Sequence, residues 1–144
     1  MGAHTPLIVH ASCVALNGRG VLILGASGAG KSGLALQLMG LGACLVADDR
    51  TVLMPTPDGP GLIASAPAAI VGRIEGRFVG LLHAPALPQA PVALAVDLDQ
   101  PETDRLPPHR VARFLDRSVP LLHRVDQPYF PAAILQHLIH GRSD

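Results

Sequence analysis

Residues 25–32 read Gly-Ala-Ser-Gly-Ala-Gly-Lys-Ser, and no other stretch restricts the fold as much. Glycines here allow a tight turn and leave no Cβ between the backbone and an approaching group. The text matches G-x-x-x-x-G-K-[ST] in full, a loop that works only between a buried strand and a helix. Both neighbours are present. Val21-Leu22-Ile23-Leu24 is short, wholly apolar and bounded by glycines, as a strand buried on both faces should be. From Lys31 the apolar period changes: Leu34, Leu38 and Leu41 share a helical face with Ala35 beside them, and Gly40 and Gly42 stop the helix. Cys44-Leu45-Val46-Ala47 is a second short apolar strand that runs into Asp48-Asp49. Residues 20–50 are thus expected to form a right-handed crossover unit of strand, glycine loop, helix and strand.

Outside that unit the pattern is less regular. Leu7 to Leu16 reads as one strand, and Asn17-Gly18 between two apolar runs signals a hairpin. Thr51 to Met54, Ile70-Val71, Phe78 to Leu82, Val92 to Leu98 and Leu121 to Val125 have strand character. Pro55 to Pro60 is a turn or loop, and Asp99 to Pro108 reads as an exposed, mobile loop. Val111, Phe114 and Leu115 suggest a short amphipathic turn of helix. Pro131 opens a last helix with Ile134, Leu135, Leu138 and Ile139 on its apolar face, ended by Gly141.

The 144 residues suit one domain. Acidic and basic residues balance at 11 each, which gives no basic arm for nucleic acid and no patch for a membrane surface. Without Trp, and with one Tyr and three Phe, the chain has few rings on which single-stranded bases might stack. Cys13 and Cys44 read as two buried thiols of a reducing compartment, since no His or acidic partner lies at metal-site spacing. Met-Gly-Ala-His-Thr-Pro is not read as a leader, and no apolar run reaches the ~18 residues of a membrane span. The expected location is the cytoplasm.

The glycine loop points to phosphate chemistry. The amides of Gly25, Ala26, Ser27, Gly28, Ala29, Gly30, Lys31 and Ser32 form an anion nest, and the following helix adds the positive end of its dipole. The Lys31 ammonium can reach the β- and γ-phosphates of a nucleotide, and the Ser32 hydroxyl can ligate Mg²⁺. Asp48 and Asp49 end the second strand, where ligands of open α/β sheets bind. One carboxylate of such a pair can serve Mg²⁺ and the other can take a proton from an attacking hydroxyl. The chain is therefore expected to be an ATP-using phosphotransferase.

The run Gly20 to Ser32, with Ala35-Leu36 and Leu45-Val46-Ala47-Asp48-Asp49, resembles the HPr kinase/phosphorylase family, whose members phosphorylate a serine of the phosphocarrier protein HPr. The resemblance implies one catalytic domain over residues 1–144, without the N-terminal domain that many members carry. It implies an α/β fold, a P-loop-containing kinase domain with a mixed, partly antiparallel sheet. It implies ATP and Mg²⁺ as cofactors, an HPr-like phosphocarrier as partner, and room for a homo-oligomer. By the same resemblance Asp48 is the general base, and Glu75, in Ile74-Glu75-Gly76-Arg77-Phe78, is a metal-side residue beside Ser32 and Asp49. His10 falls at the place of an active-site histidine, and Arg105, in Asp104-Arg105, at that of an arginine that touches the phosphates. The chain departs from the family pattern at Ala11 after the histidine, Gly33 after the loop serine and Phe78 after Arg77. A Pro-Gly-Arg-Asn segment tied to removal of the phosphate is replaced by Asp126-Gln127-Pro128-Tyr129-Phe130, which predicts kinase activity with weak reverse phosphorolysis. Two other readings stay open: a phosphate-loop kinase for a small metabolite, with a lid drawn from Arg105 to Arg117, and a nucleotide-binding regulator without turnover.

Overall fold

The apolar run at 21–24 lies inside a sheet, as its two-sided burial requires. In the computed structural model, which describes residues 5–144, the chain forms β1 (Leu7–Val9), β2 (Ala11–Leu16), β3 (Arg19–Leu24), α1 (Lys31–Gly40), β4 (Cys44–Ala47), β5 (Thr51–Pro55) and β6 (Leu62–Ser65). It continues with β7 (Arg73–Gly76), β8 (Gly80–His83), β9 (Ala90–Pro101), β10 (Arg110–Phe114), β11 (Arg117–Arg124) and α2 (Phe130–His140). The reading of the first residues as no leader rests partly on residues 1–4, which lie outside the described residues.

The main sheet has the order β1-β5-β6-β9-β3-β2-β4, with β11 also on β9 and β10 on β11. Strand β3 runs parallel to β9 and antiparallel to β2. The sheet is therefore mixed and partly antiparallel, and the class is α/β. Alternation divides the core in two. Val21 and Ile23 face Leu34 and Leu38 of α1 and Ile134 and Leu138 of α2. Leu22 faces the other way, toward Cys13, Leu53, Ala64 and Ala95. Leu38 is fully buried, so its truncation to Ala is expected to cost about 2–5 kcal/mol. Among the described residues no helix is long and apolar enough to cross a membrane.

Several sequence expectations are corrected. The crossover from β3 through α1 reaches β4, but β2 lies between the two strands and pairs antiparallel with each. Leu7 to Leu16 is two strands broken by a bend at His10, because β1 pairs with β5 while β2 pairs with β3 and β4. Leu41 lies past the helix end and is largely exposed. Residues 68–70 form one 3₁₀ turn, and Phe78 sits in the turn between β7 and β8. Residues 110–114 are strand, not helix: β10 and β11 are joined through Leu115 and Asp116, at φ 52° and 61°. Two positive φ values make a tight hairpin turn, and without Asn-Gly the sequence does not advertise it. Asp99 to Pro101 continue β9, so the connecting segment is 102–109. It is tied down by Arg110 on Glu102 at 3.1 Å and by Arg142 Nη2 donating to Pro107 O at 2.7 Å. Burial pushes the Cys13 thiol up to about 12, as a buried apolar thiol requires, whereas Cys44 is only half-buried.

Candidate active site

Strand β3, between β9 and β2, delivers the chain to residue 25 just past its C-terminal end. A Cβ at Gly25 would stand 3.0 Å from Ala29 Cβ and 3.3 Å from Leu98 Cβ, so glycine permits the loop to pass close against β9. Gly30, at φ 102°, ends the loop in a backbone conformation that favours glycine, and α1 begins at the next residue.

Lys31 is buried at 6% exposure and folds back over the loop. Its Nζ donates to Gly25 O at 2.8 Å and Ala26 O at 3.1 Å, and lies 3.8 Å from Asp49 Oδ1. A buried ammonium with two carbonyls and one distant carboxylate is a cation held ready for an anion.

Asp48 is the centre of the polar network. It ends the strand text of β4 and is 8% exposed. Its Oδ1 accepts from Ser12 Oγ at 2.8 Å and Ser32 Oγ at 2.6 Å, and its Oδ2 accepts from the Glu75 N–H at 3.0 Å. Three donors fix the carboxylate's orientation. Ser12 Oγ in turn accepts the Asp49 N–H at 3.0 Å, which holds Asp49 at φ 65°. The two adjacent acids therefore differ: Asp48 is buried and fully bonded, while the Asp49 side chain is 61% exposed.

A cavity of about 690 Å³ opens on these groups. Lys31, Ser32, Asp48 and Asp49 form its floor, and Glu75 lies on its wall. The wall also carries Arg50, Arg73 and Arg77, with Ile70 and Leu81 as apolar neighbours. The fold thus brings together the loop, both aspartates and Glu75 from the sequence prediction. It does not bring His10 or Arg105 into the lining. His10 is exposed at the bend before Ala11, which pairs with Leu24, so it stands at the loop end of the sheet. Arg105 is exposed in the 102–109 segment.

Sequence reasoning missed Ser12, Arg50, Arg73 and Asp99. Ser12 is 0% exposed within an otherwise apolar strand, and a lone hydroxyl in such text is the signal that marks it. Asp97 and Asp99 close the apolar strand 92–98 in the manner of Asp48-Asp49, and the parallel pairing Leu24↔Asp97 carries them beside the loop. Arg50 and Arg73 carry no local signal.

A family model described as the HPr Serine kinase C-terminal domain matches residues 4–102. The chain belongs to that family. The HPr kinase/phosphorylase of Geobacillus thermodenitrificans is 40% identical over 98 residues, covering 63% of this chain and 31% of the relative. That of an Exiguobacterium species is 34% identical over 126 residues, covering 79% of this chain and 40% of the relative. The chain spans well under half the length of the curated relatives it matches. Among solved structures, the Hpr(Ser) kinase/phosphatase from Coxiella burnetii superposes with a TM-score of 0.73 at 26% identity, over 89% of this chain and 86% of that one.

Proposed function

We propose that this chain is an ATP-dependent protein-serine kinase of the HPr kinase/phosphorylase type, acting in the cytoplasm on an HPr-like phosphocarrier protein. One observation carries the reading: a complete phosphate loop with a buried carboxylate 2.6 Å from its serine, in a cavity open to the outside. The relatives' names support the acceptor.

Phosphoryl transfer needs fixed phosphates, a deprotonated acceptor and neutralised charge on the moving group. The amides of residues 28–32 and the Lys31 ammonium hold the phosphates. Asp48 takes the proton of the acceptor serine as its oxygen bonds to the γ-phosphorus and the bond to the ADP oxygen breaks. Arg105, exposed on the 102–109 segment, and His10, at the bend before β2, supply positive charge toward the transferring group.

The donor set suits Mg²⁺. Ser32, Asp48, Asp49 and Glu75 offer hard oxygens to one cavity, and among the described residues no three His, Cys, Asp or Glu side chains form a protein-only cage. Mg²⁺ commonly takes one or two carboxylates and completes its shell with phosphates and water. Ser32, Glu75 and Asp49 would hold it, and when bound it would neutralise charge on the β- and γ-oxygens.

The Ser32–Asp48 bond favours a second reading of the acid pair. Asp48 then stays on the metal side with Ser32, and the exposed Asp49 takes the serine proton. Asp48→Asn and Asp49→Asn, each assayed for transfer and for MgADP binding, separate the two. The base variant loses transfer and keeps binding; the metal-side variant loses both.

Reverse phosphorolysis is proposed to be weak. Asp126-Gln127-Pro128 offers no cation, and the Arg124 guanidinium is engaged by Asp126 at 3.1 Å and Leu98 O at 2.9 Å. Pyrophosphate released from serine-phosphorylated HPr in millimolar phosphate measures it. The kinase itself is tested with γ-labelled ATP, Mg²⁺ and HPr. Label on an HPr serine, absent with Lys31→Ala, is the expected result. ATP binding without transfer would make the chain a regulator.

A further inference from the structure

Resting on that reading of the loop as a nucleotide site, we infer that Asp99 is a positioning residue for the phosphate loop, acting through the Ala26 peptide. The Ala26 N–H donates to both Asp99 oxygens, at 3.1 Å to Oδ1 and 3.0 Å to Oδ2. The carbonyl of the same residue accepts from Lys31 Nζ at 3.1 Å. The Gly25–Ala26 peptide unit, whose N–H meets Asp99 and whose carbonyl, Gly25 O, accepts from Lys31 Nζ at 2.8 Å, therefore joins a carboxylate on β9 to the cation that meets the phosphates.

The carboxylate is itself held. The Asp99 N–H donates to Asp97 Oδ1 at 2.9 Å, and the carbonyl of Leu98 accepts from Arg124 Nη1 at 2.9 Å. Both polar groups of the peptide unit that precedes the Asp99 Cα are tied, so its side chain projects from a held strand end. Asp97 pairs in register with Leu24, the last residue before the loop, which fixes the distance between the strand ends.

Charge makes this placement informative. A carboxylate beside a triphosphate site repels the ligand, so electrostatics alone disfavour an acid here. The geometry supplies the compensating role. On binding phosphates, Lys31 must turn from the Gly25 and Ala26 carbonyls toward the ligand. Asp99 keeps Ala26 in place as that happens, so the amides of residues 28–32 remain aimed inward. Support of this kind, from a fixed element behind the contacting groups, determines how well a binding site is pre-set.

The test uses the intact chain with Asp99→Ala and Asp99→Asn. Three quantities are read: the MgADP dissociation constant by calorimetry, the melting midpoint, and hydrogen exchange at the Ala26 amide without ligand. Asp99→Ala is expected to weaken MgADP about tenfold, the size of one charge-assisted hydrogen bond, and to speed Ala26 exchange, with the melting midpoint unmoved. Asp99→Asn, whose Oδ1 still accepts from Ala26, is expected to recover most of the affinity. Wild-type affinity in Asp99→Ala overturns the inference. So does Asp99→Asn as weak as Asp99→Ala, or a melting midpoint that falls in step with affinity. A wild-type chain that binds no MgADP instead removes the kinase reading, while unchanged Ala26 exchange in Asp99→Ala would still count against Asp99 separately.

Discussion

The floor and the wall of the cavity are built differently. The floor, residues 19–49, is a strand buried on both faces, a glycine loop and a helix, and its functional groups are bonded to one another. Lys31 and Asp48 are buried and each has at least two hydrogen-bond partners. The wall is the β7–β8 hairpin, and the 102–109 segment stands outside the lining. There Glu75, Arg77, Phe78 and Arg105 are exposed. The buried, mutually bonded polar groups thus sit on the floor, and the exposed charged and apolar groups sit around it. Loss of a floor residue should therefore abolish chemistry, whereas change in the wall should move stability or partner choice by less.

The largest expected effect is at Lys31. Lys31→Ala removes the buried cation and should weaken ATP binding by roughly 10²-fold or more, at or above the upper end of what one charge-assisted bond supplies. Calorimetric titration reads it directly. A greater loss of ATP affinity from Arg77→Ala would reverse the ranking of floor over wall.

Within the floor, Asp48 and Asp49 should separate. Asp48→Asn places an amide where three donors converge, so at least one donor loses its acceptor, at a cost of about 1–3 kcal/mol in stability. Transfer to HPr should also fall by at least ~10²-fold. Asp49→Asn should leave stability within about 0.5 kcal/mol, because the side chain is exposed and Asn tolerates positive φ. Chemical denaturation of the two variants checks this half of the contrast without any acceptor.

Partner recognition should depend on the wall. Intact HPr should be phosphorylated faster than a synthetic peptide carrying its target serine, because docking by surface needs a folded acceptor and signalling interfaces can be small, often under ~1,200 Å². Equal rates would confine recognition to the floor.

How much of this was legible follows the same division. The loop, α1, β4 and the acid pair were readable because each is local: the phosphate nest is contiguous text, and apolar period alone tells β3 from α1. Ser12 and Asp99 were not, although both reach the floor. Ser12 meets Asp48 across 36 residues and Asp99 meets Ala26 across 73, contacts set by strand pairing that no short window reports. The hairpin at Leu115-Asp116 was misread as helix for a different reason: Asp116 is a common turn residue but Leu115 is not, and the apolar residues at 111, 114 and 115 imitate helical spacing. At Arg105 the resemblance supplied a role, but the structure leaves the side chain outside the cavity lining.

The smallest effect is expected at the hairpin tip, where Phe78 is fully exposed and adopts φ 69°. A left-handed conformation costs a non-glycine residue roughly 1–2 kcal/mol, while glycine loses about 0.5–1 kcal/mol of extra chain entropy on folding. The difference favours glycine slightly, so Phe78→Gly should raise stability by up to about 1 kcal/mol, a rise of roughly 2–5 °C in melting midpoint for a chain of this size. The ring buries nothing within the chain, so no packing is lost to offset the gain. MgADP affinity should not change, because Phe78 is not among the residues that line the cavity. Thermal melting and MgADP titration of the variant measure both quantities. A lowered melting midpoint would mean that the ring packs against the domain, and a lowered MgADP affinity would make the hairpin tip part of the floor's chemistry and remove the division between the two regions at this point.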